Sequence, residues 1–414
     1  MNIIRPSEIR GSIAAPASKS DAQRAIAAAT LARGQSVIER MTGCDDVDAA
    51  LELARAFGAS VYTVGDVTHI SGGSSLSRNE FDCGESGLSL RLFSFLVALH
   101  TGSFTMTGRG TLLRRPLQDL EAALSAFGVT SRSNNGFLPL KIAGPLRRGV
   151  VSLDASESSQ HVTGLLFALP LCSGDSELML VKPTSIPYLR MTISVLRRFG
   201  VVIDPSESFE RFRIPGDQVY VPARYVVEGD WSAAAFLLVA GAIAGEVSVT
   251  NLRTDSLQAD RAVLDALRRC GAQVTEEQGR VSVQSSELSA FHFDARHAPD
   301  LFPPLTALAC YCKGTSVLEG AGRLAHKESD RAAALVREFS ALGASIRRRG
   351  DCIEVTGGTF PGGNVSVHND HRIAMAASIA ALGSRNGVTL DDPSCVSKSY
   401  PGFFRDLQTL GVNR

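Results

Sequence analysis

A chain of 414 residues is too long for one ordinary hydrophobic core, so two domains are expected. Its composition, 44% apolar and 20% charged, is that of a globular protein rather than a disordered one. Lysine plus arginine equals aspartate plus glutamate at 42 each, so bulk charge predicts neither a nucleic-acid nor a membrane partner, and any anionic ligand must be held by a local cluster.

The opening residues carry Arg5, Glu8 and Arg10, which leaves no room for the apolar centre of a signal peptide and predicts a cytoplasmic protein. A first helix is expected near Ser20, followed by a strand over Ser36 to Glu39. A second helix closes at Phe57-Gly58-Ala59, with a strand from Ser60 to Val64. The pattern then recurs. Early helices begin near Gly87, Ser158, Asp230, Asp300 and His371, and strands read over Ser103 to Met106, Leu178 to Val181 and Ser316 to Leu318. Later helices close at Phe127-Gly128-Val129, Phe199-Gly200-Val201, Cys270-Gly271-Ala272, Leu342-Gly343-Ala344 and Leu410-Gly411-Val412. Further strands are expected at Gln273 to Val274 and Arg280 to Val283. Successive closing glycines lie 70, 72, 71, 72 and 68 residues apart, a spacing that defines a repeated supersecondary unit. The unit reads strand, helix, strand, helix, strand, strand. Six copies predict two pseudo-symmetric α/β domains of three units each, divided around Tyr225 to Asp230. The longest apolar run, Trp231 to Gly245, is too short to span a bilayer and is expected to be a buried helix.

The eight cysteines (44, 83, 172, 270, 310, 312, 352 and 395) include no C-x-x-C pair, and the eight histidines include no H-E-x-x-H. Buried free thiols are expected, with no disulfide, metal or other cofactor.

Cations collect where a helix dipole disfavours them. Lys19, Arg24, Arg91 and Arg372 fall within two turns of predicted early-helix starts, and Arg114, Arg115, Lys327, Arg331 and Lys398 recur around the second helices. Repeated across units, this implies that ligand anions offset the charge at helix N-termini. Pro16-Ala17-Ser18-Lys19-Ser20-Asp21-Ala22-Gln23-Arg24 is the first such stretch. It lacks the frame of a P-loop, and an ordinary serine cap with two surface cations explains it as well as an anion site does.

The S-K-S-x-x-x-R pattern of that stretch resembles the first signature of the 5-enolpyruvylshikimate-3-phosphate synthase family. Further stretches follow in the family's order: Cys83-Gly84-Glu85-Ser86-Gly87, Arg115-Pro116-Leu117, Ser158-Ser159-Gln160, Ser185-Ile186-Pro187-Tyr188, Val227-Glu228-Gly229-Asp230, Pro299-Asp300, Lys327-Glu328-Ser329-Asp330-Arg331, Asn369-Asp370-His371-Arg372 and Lys398. The resemblance runs from Pro16 to the C-terminus. It implies a two-domain inside-out α/β barrel of six β-α-β-α-β-β units, with residues 15–226 as one domain and residues 1–14 plus 227–414 as the other. It implies transfer of the enolpyruvyl group of phosphoenolpyruvate to shikimate 3-phosphate, with Asp300, Glu328 and Lys19 as catalytic groups. Shikimate 3-phosphate would be held by Lys19, Ser20, Arg24, Ser158, Ser159, Gln160, Ser185, Tyr188, Asp300 and Lys327. Phosphoenolpyruvate would be held by Lys19, Gly87, Gln160, Arg331, Arg372 and Lys398. Both halves of the chain would have to meet around the substrates, and a monomer is implied.

Two positions depart from the family pattern. Thr111 stands where an arginine is usual, with Arg109, Arg114 and Arg115 as candidate substitutes, and Glu85 places a negative charge in the glycine loop. Both predict weakened phosphoenolpyruvate binding. A transferase acting on a UDP-linked amino sugar and a catalytically silent homologue that binds only shikimate 3-phosphate remain as alternatives.

Overall fold

A computed structural model describes residues 2–41, 43–73 and 76–413. The chain divides into two compact units, Lys19–Val227 on one side and Met1–Ser18 with Glu228–Arg414 on the other.

The unit Lys19–Val227 holds three four-stranded sheets of one design. In the first, Arg224–Val226 pairs parallel with Gly34–Glu39, which pairs antiparallel with Val67–Gly72, and that with Ser60–Val64. The second repeats the order with Glu80–Asp82, Gly102–Thr107, Phe137–Gly144 and Thr130–Asn134. The third repeats it with Val150–Asp154, Ser176–Val181, Arg211–Ile214 and Asp204–Pro205. Inside these sheets run the helices Lys19–Leu31, Gly87–Val97 and Gln160–Ala168. Each buries most of its length against neighbouring helices, and the apolar composition of the second and third leaves no face suited to water.

The other unit repeats the plan. Ile9–Ala14 pairs parallel with Gly245–Thr250, followed by Arg280–Gln284 and Gln273–Glu277. His292–Asp294, Thr315–Glu319, Cys352–Thr356 and Ser345–Arg349 form the next sheet. The sixth sheet has three described strands: Gly363–Val365 lies parallel to Val388–Leu390, and Asn2–Ile4 takes the antiparallel place that a returning strand holds elsewhere. The central helices here are Trp231–Ala244, Phe302–Ala309 and His371–Ala381. The apolar run at Trp231 is therefore a core helix, buried from Trp231 to Ala242.

The repeat has a direct backbone signature. Gly58, Gly128, Gly200, Gly271, Gly343 and Gly411 all adopt positive φ, between 78° and 104°. Each ends its helix in the left-handed region that a side chain disfavours. Two expectations about helix starts need correcting. Lys398 closes the 3-10 helix Pro393–Lys398, where a cation complements the carbonyl end. Arg114 ends the 3-10 helix Gly110–Arg114, three residues short of the helix Gln118–Ala126. Seven of the cysteines are buried and Cys352 is partly exposed, all as free thiols.

Candidate active site

In the unit Lys19–Val227, candidate residues collect at the starts of the central helices. Lys19 is the first residue of its helix, and its Nζ donates to Asp46 Oδ2 at 2.8 Å. Arg24, one turn on, is buried. Its Nε donates to Thr192 Oγ1 at 2.9 Å and its Nη1 to the Ser20 carbonyl at 2.7 Å. The Tyr188 ring lies 5.9 Å from the guanidinium carbon. Burial lowers the Arg24 pKa to about 10, which still leaves it charged at neutral pH. Ser158 and Ser159 precede the helix Gln160–Ala168, and the Gln160 N–H donates to Ser158 Oγ at 3.2 Å. Ser185 is buried in the left-handed region at φ 52°, at the start of the helix Ile186–Arg198 that carries Tyr188.

Gly87 opens its helix behind a Ser86 cap, whose Oγ accepts from the Ser89 N–H at 3.2 Å and donates to Gln23 Oε1 at 3.2 Å. A Cβ on Gly87 would stand 2.1 Å from Arg115 Nη1 and 3.4 Å from Arg91 Nη1, so any side chain here would push the Arg115 guanidinium off the helix start. Arg115 is buried and Arg109 is exposed on Asp82 at 3.3 Å, so Arg115 is the arginine that faces this N-terminus. Burial, reinforced by the charge of Arg115, lowers the Arg91 pKa to about 10.

Both departures meet here. The Glu85 carboxylate accepts the Thr111 N–H and the Thr111 hydroxyl, each at 2.9 Å, and a Cβ on Gly110 would collide with it. The negative charge is tied into the 3-10 turn, with its Oε2 taking both Thr111 donors. Thr111 and Glu85, the two departures from the family pattern, are thus hydrogen-bond partners of one another.

In the other unit the carboxylates and cations interlock. Arg331 is fully buried at the start of the helix Arg331–Ala341. Its Nε and Nη2 donate to Asp370 at 3.0 and 3.2 Å, its Nη1 to Asp300 at 2.9 Å, and its Nη2 also to Glu328. Arg372 pairs with the second Asp300 oxygen at 2.9 Å. Burial opposes ionisation of Asp300, but Arg372, Arg331 and Lys327 outweigh it and hold the carboxyl well below its usual range. Asp370, Glu328 and Asp300 likewise overcome burial at Arg331 and raise its pKa. Burial lowers Lys327 to about 8, a fall partly offset by Asp300. Lys398 is buried, and its Nζ donates to the Asn369 carbonyl at 2.7 Å.

Three further residues belong to these clusters. Arg115 was one of three candidate substitutes for the arginine replaced by Thr111, with nothing in the spacing to choose among them. Asp370 lay in the Asn369-Asp370-His371-Arg372 stretch, and its helix-cap position was the available signal. Asp260, fully buried on the 3-10 turn Ala259–Ala262, had no signal in the sequence. Ser232 donates to one of its oxygens, and the other has no hydrogen-bond partner among the described residues. Burial and the Asp300 charge raise its pKa to about 7 in spite of Arg372.

Two α/β units of three repeats each carry buried cations at helix starts and an interlocked set of carboxylates, an arrangement suited to small anionic ligands. Residues 3–407 match the family described as EPSP synthase (3-phosphoshikimate 1-carboxyvinyltransferase). A 3-phosphoshikimate 1-carboxyvinyltransferase of Thermococcus kodakarensis is 42% identical, covering 99% of each chain. That of Methanocorpusculum labreanum is 38% identical, covering 99% of this chain and 98% of its own. A solved EPSP synthase from Acinetobacter baumannii superposes with a TM-score of 0.83 at 26% identity, covering 99% of this chain and 98% of that one. The chain belongs to the EPSP synthase family, and its two-domain α/β fold is that of the family.

Proposed function

We propose that this enzyme joins the 5-hydroxyl of shikimate 3-phosphate to C2 of phosphoenolpyruvate and then releases phosphate. In the addition step the hydroxyl oxygen bonds to C2, its proton passes to Asp300, and C3 takes a proton from Glu328. In the elimination step C3 returns a proton to Glu328 and the C2–O bond to phosphate breaks, with the electron pair leaving on phosphate and the proton held by Asp300 leaving with it. Each such proton transfer contributes about 10²–10⁴-fold.

One observation carries the assignment: Arg331 is held by three carboxylates, two of which are the proposed acid–base pair. Asp300, kept ionised between Arg331 and Arg372, suits a hydrogen-bond acceptor that orients a hydroxyl. Four of the five Arg331 N–H donors go to Asp370, Asp300 and Glu328. A phosphoenolpyruvate anion that pairs with Arg331 through two donors therefore displaces a resident carboxylate, and displacement of Glu328 frees that group for proton transfer. Arg372 and Lys398 complete the cationic set on this unit, and Gly87 with Arg115 offers the helix-start contact on the other. Lys19, Ser20, Arg24, Ser158, Ser159, Gln160, Ser185 and Tyr188 are assigned to shikimate 3-phosphate, together with Asp300 and Lys327; Lys19 and Gln160 also reach phosphoenolpyruvate.

The same reading makes the protein a cytoplasmic monomer that uses two small anions and no cofactor. A continuous phosphate-release assay tests it: release must require both substrates together. A catalytically silent homologue would bind shikimate 3-phosphate and release no phosphate, which would overturn the proposal.

A further inference from the structure

Arg24 is a buried guanidinium whose hydrogen bonds among the described residues all go to neutral oxygens. Besides the Thr192 and Ser20 contacts, its Nη2 reaches Thr163 Oγ1 at 3.5 Å. Thr163 and Thr192 are both fully buried, on the helices Gln160–Ala168 and Ile186–Arg198.

The proton positions in this group follow from the bonding capacity of a hydroxyl, which has one donor and two acceptor sites. Thr192 gives its proton to the Tyr188 carbonyl at 2.8 Å. The 3.2 Å contact between the two threonine oxygens must then have Thr163 as donor. Thr192 Oγ1 therefore accepts twice, from the Thr163 hydroxyl and from Arg24 Nε, and is fully used. A helical threonine has two favoured χ1 rotamers, and the bond to the Tyr188 carbonyl one turn back selects one of them, so this acceptor is fixed in space. Of the five N–H donors on Arg24, three are spent inside the protein and one remains on each Nη. A carboxylate or phosphate takes two such donors in parallel.

We propose that Thr192, pinned by Thr163, is a positioning residue that sets the plane of the Arg24 guanidinium so that its two remaining donors face the anionic group of the acceptor substrate. The proposal rests on the reading above that Arg24 binds shikimate 3-phosphate. Two neighbouring threonines could satisfy one another and a helix carbonyl without an arginine. Placing one of them on Nε is what converts a long, flexible cation into a fixed fork.

The test compares Thr192→Val, Thr192→Ser and Arg24→Gln. Shikimate 3-phosphate affinity is read by titration calorimetry, and KM and kcat by phosphate release. Thr192→Val keeps the shape and removes the acceptor. Its dissociation constant and KM for shikimate 3-phosphate should rise roughly tenfold, with the loss falling on KM rather than on kcat. Thr192→Ser, which keeps the hydroxyl, should restore most of the affinity. Equal losses in Thr192→Val and Thr192→Ser would show that packing matters and the hydroxyl does not, overturning the proposal. Wild-type affinity in Thr192→Val beside a large loss in Arg24→Gln would overturn it while sparing the site assignment. Unchanged affinity in Arg24→Gln would remove the assignment and the proposal together. Thr163→Val should give a smaller rise in the same constant and is the variant to read if Thr192→Val does not fold; wild-type affinity there also overturns the proposal.

Discussion

Asp370→Asn probes the most heavily bonded carboxylate of the candidate site. Its Oδ1 accepts from Arg331 Nη2 at 3.2 Å and from the Arg372 N–H at 3.0 Å, while Oδ2 accepts from Arg331 Nε at 3.0 Å and from the Ser329 hydroxyl at 3.0 Å. Asparagine must put an NH₂ at one of these positions, and in either orientation donors then face donors. Removing one partner of a buried ion pair costs about 3–5 kcal/mol, and the lower end applies because Asp300 and Glu328 stay on Arg331. For a domain of roughly 150–250 residues each kcal/mol moves the midpoint by about 2–4 °C, so Tm should fall by about 6–12 °C. Arg331 loses its bidentate anchor, and KM for phosphoenolpyruvate should rise roughly tenfold or more, about 1.4 kcal/mol. Shikimate 3-phosphate affinity should change less, since most of the residues assigned to it, Arg24 among them, lie in the other unit and Asp300 keeps its pairing with Arg372. Differential scanning fluorimetry and steady-state kinetics read both effects. A Tm within about 2 °C of wild type together with an unchanged KM for phosphoenolpyruvate would refute the claim that Asp370 anchors Arg331.

Glu328→Gln should retain shikimate 3-phosphate binding while turnover falls by roughly 10²-fold or more, as read by phosphate release from the purified, folded variant. Thr111→Arg should not lower KM for phosphoenolpyruvate and should reduce Tm, because Thr111 is buried and already bonded to Glu85, whereas Arg115→Met should raise that KM. Lys327 titrates at about 8 when folded against 10.5 when unfolded, so the folded state carries fewer protons between these values and stability rises with pH across that window. Lys327→Met should therefore raise the Tm of ligand-free protein at pH 7 while impairing turnover, and its advantage over wild type should shrink as pH climbs from about 8 towards 10.5.

The fold was legible because its repeat is written in backbone constraints. The six closing glycines mark points where only a residue without Cβ ends the helix cheaply, and all six take positive φ. Strand boundaries were read short, as at Ser36 to Glu39 against the observed Gly34–Glu39, because exposed polar residues continue the ladder on backbone bonds alone. The sixth sheet was not foreseeable from local pattern. Its third strand, Asn2–Ile4, comes from the far end of the chain, and pairing of that separation leaves no periodic trace near residue 388.

The site was legible as residue types and illegible as pairings. Spacing could show that Glu328 stands three residues before Arg331 at a helix start, but not that Asp300 and Asp370, from two other elements, close on the same guanidinium. Charge counting along the sequence therefore overestimated the free cation available to a ligand. The same limitation applies to Thr111. Glu85 and Thr111 lie 26 residues apart and each departs from the family pattern, so taken separately each reads as damage to an anion site. In space each accounts for the other: the carboxylate needs two donors, and the threonine supplies an N–H and an O–H to one oxygen. A charge-assisted pair of this kind is worth about 1.5–3 kcal/mol, enough to hold the glycine loop in place. That leaves the guanidinium at Gly87 to be supplied by Arg115, which the sequence had offered only as one of three equivalent candidates.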